Sequence, residues 1–102
     1  MTTNARIKKL IDDNEVLLFM KGNPTFPQCG FSSVACQALG GLDTSFETVD
    51  VLQDPEIREG IKAYSSWPTI PQLYIRGEFI GGADIIRELY ESGELAKTIS
   101  KE

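Results

Sequence analysis

Trp67-Pro68-Thr69-Ile70-Pro71-Gln72-Leu73-Tyr74-Ile75-Arg76-Gly77-Glu78-Phe79-Ile80 changes character half-way along. Its first part holds two prolines, which fix φ and remove backbone donors, so that part is rigid and cannot be helical. Its second part holds two short runs, Gln72–Ile75 and Glu78–Ile80, flanking Arg76-Gly77. Two such runs separated by a glycine-containing pair predict a β-hairpin with a two-residue turn. Gly81-Gly82 then breaks the second strand. Asp84 opens a helix with Ile85, Ile86, Leu89 and Tyr90 on one face. Gly93 interrupts that helix, and a short helical tail follows.

Upstream of the hairpin, Ile7, Leu10 and Ile11 fall at helical spacing with charged residues between them. Val16-Leu17-Leu18-Phe19-Met20 is a continuous apolar run, as expected for a strand covered on both faces. Gly22, Pro24 and Pro27 make the next segment a loop. Helix-compatible residues run from Gly30 to Leu39 and stop at Gly40-Gly41. Phe46–Val51 reads as a second strand, and Asp54-Pro55 as the start of a helix with Ile57, Ile61 and Tyr64 on its apolar face. The order is α-β-α-β-α-β-β-α. It predicts an α/β chain with a four-stranded mixed sheet and helices on both faces, the order of elements of the thioredoxin fold.

Composition narrows the function. The chain has 102 residues, enough for one domain with one core. Its formal charge of -5 repels phosphate backbones and anionic lipid, so no nucleic acid and no membrane is expected as a partner. No apolar run approaches the length of a membrane span, and Met1–Leu10 lacks the apolar stretch of a secretory signal. A cytoplasmic location is the default expectation. There is no histidine, which removes Ser-His and Cys-His catalytic pairs and imidazole metal ligands.

Two cysteines remain, Cys29 and Cys36. Cys29 stands between a loop and a helix start, where free N–H groups and the helix dipole favour the thiolate. Lys21 can add positive charge nearby. The opposing reading, a small buried hydrophobe, is the ordinary one for a free cysteine; the Pro/Gly surroundings and Pro71 weigh against it here. Ser32 takes the place of the second sulfur of a Cys-x-x-Cys motif, and serine cannot resolve a mixed disulfide. Cys36 lies seven residues on, about 10 Å along a helix axis and beyond disulfide reach. Val34, Ala35 and Leu39 around it point to core packing, with a regulatory or intermolecular disulfide as the alternative.

Four segments together carry a resemblance: Lys21-Gly22, Pro27-Gln28-Cys29-Gly30-Phe31-Ser32, Trp67-Pro68-Thr69-Ile70-Pro71-Gln72, and Gly81-Gly82-Ala83-Asp84-Ile85-Ile86. In this order and spacing they resemble the monothiol glutaredoxins with a Cys-Gly-Phe-Ser site, of the bacterial single-domain type, over nearly the whole chain. The resemblance implies one glutaredoxin domain over residues 1–102 and a cleft for glutathione. Lys21 matches the lysine that pairs with the glycine carboxylate, and Arg58 a second basic position there, although a solvated helix arginine is an equal explanation. Ile70-Pro71 resembles the family's cis-proline corner, whose exposed backbone can pair with glutathione like an added strand. Ala83 and Asp84 match the residues that hold the γ-glutamyl end, and Asp84 can equally be a plain N-cap. Many relatives have a cysteine where this chain has Ala83. Its absence removes a second-cysteine disulfide at the cleft.

Two functions follow from the resemblance. In the first, Cys29 is a metal ligand. A two-iron two-sulfur (2Fe-2S) cluster needs four ligands, and two chains with two glutathiones supply them in a bridged homodimer. Such a carrier serves iron–sulfur cluster assembly and iron homeostasis by passing the cluster to apo iron–sulfur client proteins, and a BolA-type protein is a further expected partner in a mixed dimer. In the second, Cys29 is the sole catalytic nucleophile of a glutathione-dependent oxidoreductase that removes glutathione from protein mixed disulfides. The six-residue loop between Gly22 and Cys29 can tilt glutathione away from attack geometry, so at most weak enzyme activity is expected.

Overall fold

The computed structural model describes residues 1–100. The apolar run Val16–Met20 forms strand β1 and is buried at every position. It lies inside the sheet because it has a partner on each side. It pairs in parallel with β2 (Glu47–Asp50) and antiparallel with β3 (Gln72–Ile75). β3 pairs antiparallel with β4 (Glu78–Gly81), giving a four-stranded mixed sheet in the order β2-β1-β3-β4. With α1 (Thr3–Asp13), α2 (Gly30–Gly40), α3 (Pro55–Ser65), α4 (Ala83–Ser92) and α5 (Glu94–Ser100), this is the thioredoxin-like arrangement expected from the order of elements.

Alternation along the strands feeds two cores. Val16, Leu18 and Met20 of β1 and Leu73 and Ile75 of β3 pack with Ala35, Cys36 and Leu39 of α2, Ile86 of α4 and Leu95 of α5. Leu17, Phe19 and Tyr74 face the other way, toward Ile7 and Ile11 of α1 and Ile57 and Ile61 of α3. The helices therefore cover both faces of the sheet. Among the described residues no helix is long and apolar enough to cross a membrane.

The hairpin turn is the expected two-residue one. Arg76 and Gly77 have φ of 48° and 82°, the left-handed pair that matches the twist of hairpin strands. The Arg76 guanidinium bonds the carbonyls of Thr98 and Ile99, tying the last helix to the hairpin. At the start of α3, the Asp54 carboxylate caps the Ile57 N–H at 3.2 Å, with Pro55 next in the helix. The same carboxylate is paired with Arg6 of α1, which holds it below the usual carboxylate range, and so joins the two helices on that face.

Three local expectations need correction. The second strand ends at Asp50, and Val51 begins a 3-10 turn (Val51–Gln53) because the Asp50 carboxylate accepts the Leu52 N–H. β4 includes Gly81, so the break falls one residue later. Helix α4 is capped by Gly82, and Asp84 sits inside its first turn rather than at its N-cap. On α4 only Ile86 is fully buried, while Ile85 and Tyr90 are exposed, as is Tyr64 on α3.

Candidate functional site

Cys29 is the N-cap of α2, and its Sγ accepts the Ser32 N–H at 3.5 Å. It is half-buried. Partial burial pushes the thiol up, but hydrogen bonds from the Ser32 backbone and hydroxyl and the Phe31 N–H, with the Lys21 charge, outweigh it. The thiol sits below its ordinary value. This is the activation expected of a cysteine at a helix start.

Ser32 does more than stand where a second sulfur is missing. It is fully buried, and its Oγ accepts the Lys21 N–H at 3.0 Å, binding the helix start to the end of β1. The loop between them is braced at every step. Gly22 has φ of +87°, and a Cβ there would come within 2.4 Å of the Phe26 carbonyl. The Gly22 N–H donates to Asp50 Oδ1 at 2.9 Å, and the Gln28 N–H to the Lys21 carbonyl at 2.9 Å. Asn23 Oδ1 accepts from Thr25 and Phe26.

Lys21, Cys29, Arg58, Ile70, Pro71, Ala83 and Asp84 all line one open groove of about 460 Å³. The structure thus brings together every residue expected at the site. The Ile70–Pro71 peptide is cis. Arg58, on helix α3, also lines the groove. Among the described residues, Lys21 and Arg58 are the only lysine or arginine side chains without a carboxylate within 4.0 Å. In a chain of net charge -5, these two unpaired cations concentrate positive charge in one groove. Opposite in sign, the Asp84 carboxylate makes no capping bond with its own helix.

The sequence reading missed the groove residues Lys62, Phe31 and Ile85, and gave Trp67 no role in the site. Lys62 was within reach, lying one turn beyond Arg58 on the same helix. Phe31 and Trp67 are large apolar side chains left exposed at the rim. Cys36 lies elsewhere, as the spacing indicates. It is buried against Met20, sulfur to sulfur at 3.2 Å, and burial pushes its thiol up.

Comparison with known proteins bears on this geometry. A family model described as glutaredoxin matches residues 16–80. The chain is 57% identical over 97 residues to an uncharacterised monothiol glutaredoxin of Synechocystis sp., covering 95% of this chain and 91% of that one. This chain belongs to the glutaredoxin family. Its likeness is to the monothiol members, in keeping with Ser32 three residues after Cys29. To glutaredoxin 4 of Escherichia coli it is 47% identical, over 98% of this chain and 87% of that protein. The solution structure of reduced poplar apo GrxS14 matches with a TM-score of 0.82 at 50% identity, covering 96% of this chain and 90% of the other.

Proposed function

We propose that this glutaredoxin binds glutathione in the groove beside Cys29 and carries a 2Fe-2S cluster between two copies of itself for delivery to apo iron–sulfur proteins. The observation that carries the reading is the isolation of one activated thiol. Cys29 opens onto the groove with its thiol held below the ordinary value. The only other sulfur nucleophile, Cys36, is sealed in the core. A thiolate with no internal thiol to form a disulfide with stays available as a ligand.

The donor set fits this cargo only in an assembly. Among the described residues no three His, Cys, Asp or Glu side chains converge on a metal position. One chain thus offers the single thiolate of Cys29, and a four-ligand cluster requires donors from outside it. A second chain gives another Cys29, and two glutathione thiols complete the set. Lys21 and Arg58 suit the glycine carboxylate, the Ile70 backbone suits the tripeptide backbone, and the α4 N-terminus with Asp84 suits the charged γ-glutamyl end. A BolA-type protein replacing one chain is the corresponding mixed assembly.

Anaerobic reconstitution with iron, sulfide and glutathione tests the proposal. Wild-type and Cys36→Ser protein are expected to give a coloured dimer by visible absorption and sizing, and Cys29→Ser a colourless monomer. Colour and dimer retained in Cys29→Ser overturn it. Turnover of a glutathione mixed disulfide at the rate of a dithiol glutaredoxin would instead favour a deglutathionylating enzyme.

A further inference from the structure

Two polar side chains are fully buried among the described residues, Ser32 and Gln72. Ser32 is explained by its bond to Lys21. Gln72 opens β3, paired with Phe19, and by strand alternation it shares the face of Tyr74, an apolar core position. Its Oε1 has no hydrogen-bond partner there. A buried acceptor left unpaired is destabilising, and an apolar side chain of the same length would avoid that cost.

The other half of the amide gives the reason for it. Gln72 Nε2 donates to the Trp67 carbonyl at 3.0 Å and to the Thr69 carbonyl at 3.1 Å. These two bonds span the segment that forms one wall of the groove. That segment has few other means of support. Pro68 and Pro71 have no N–H, and the Trp67 N–H is already taken by the Lys62 carbonyl and Ser65 Oγ. Among the described residues neither Thr69 nor Ile70 donates its N–H to another group of the chain. One glutamine amide therefore does for this wall what a ladder of backbone bonds does for a strand.

We infer that Gln72 is a positioning residue for the groove, holding the Trp67–Thr69 carbonyls inward so that the Ile70 backbone stays open to a peptide ligand. The inference rests on the glutathione reading above and adds to it the residue that shapes the ligand-facing backbone. Gln72 does not touch the ligand. Its effect is on ligand affinity and not on the thiol.

Gln72→Met keeps length and unbranched shape while removing both the donor and the unpaired acceptor. Glutathione titrated into the apo protein is expected to bind it at least fivefold more weakly than wild type. Thermal stability should stay close to wild type, and the pH profile of Cys29 alkylation should not move. Weakened binding matched by a large loss of stability, or a shifted Cys29 profile, would mean a merely structural role and overturn the inference. So would unchanged affinity in a wild type that binds. Wild-type protein that takes up no glutathione overturns the groove reading and this inference with it. A measurement on wild type alone guards against a variant that fails to fold. The Gln72 side-chain NH₂ protons are expected to exchange with solvent more slowly than those of an exposed glutamine such as Gln53. Equal exchange contradicts the two bonds and the inference.

Discussion

Cys29 and Cys36 belong to the same stretch of helix-forming chain, yet their surroundings push them in opposite directions. Cys29 precedes the first turn, where N–H donors have no helical acceptor and turn to its sulfur. Cys36 is two turns in, where its N–H is used and its sulfur meets only core. Alkylation across pH is therefore expected to modify Cys29 with a midpoint below that of an ordinary thiol and to leave Cys36 unmodified until the protein unfolds. Ser32→Ala should move the Cys29 midpoint up, since it removes the hydroxyl that favours the thiolate. The stability effects have opposite sign. A lowered Cys29 means the folded chain holds that proton less tightly, so its contribution is present above the ordinary thiol value and lost as pH falls through its own. A raised Cys36 means the reverse, with stability falling as pH rises past the ordinary thiol value. Denaturant titrations on either side of that range, in wild type and Cys36→Ala, check the alkaline loss and its removal.

At the level of elements, the loop from Gly22 to Gln28 is the piece that joins sheet to site. Gly22→Ala puts a Cβ against the Phe26 carbonyl in a left-handed conformation and is expected to cost about 1–3 kcal/mol. Asp50→Ala leaves the Gly22 and Leu52 N–H groups unpaired and is expected to cost about 2 kcal/mol. Urea melts give these costs. Amide exchange over residues 21–28 should speed up in both variants, and wild-type exchange rates in both would contradict the bracing role. The hairpin and the central strand were legible in the sequence because their signals are local: a glycine turn between β-forming runs, and an unbroken apolar run. The end of β2 was not, because a side-chain cap at Asp50 diverts the chain before its β-branched Val51 can extend the ladder. Nor was the N-terminus of α4, where Gly82, without a capping side chain, takes the position that Asp84 was expected to hold. Ile85 fits a helix-core pattern by spacing, yet it lines the groove.

Over the whole molecule, the seven sequence-expected site residues meet because five separate pieces of chain converge on one end of the sheet: the end of β1 (Lys21), the start of α2 (Cys29), the first turn of α3 (Arg58), the turn before β3 (Ile70-Pro71) and the start of α4 (Ala83 and Asp84). Motif order alone marked those pieces, while Lys62 and the bracing by Ser32 and Gln72 depend on packing that spacing does not encode. Among the described residues, seven of the lysines and arginines are held by neighbouring carboxylates, so the positive potential there gathers at Lys21 and Arg58. Lys21→Gln and Arg58→Gln are each expected to weaken glutathione binding by about 1 kcal/mol, roughly fivefold. Raised salt should narrow the gap from wild type. Calorimetric titration at two ionic strengths checks both, and affinities equal to wild type at low salt would place the carboxylate elsewhere. The most direct test of the whole account is the native mass of the protein reconstituted with iron, sulfide and glutathione. It should equal two chains, two glutathiones and one 2Fe-2S cluster, with no cluster-bearing species from Cys29→Ser. A cluster held without glutathione, or held by the Cys29→Ser chain, would contradict it.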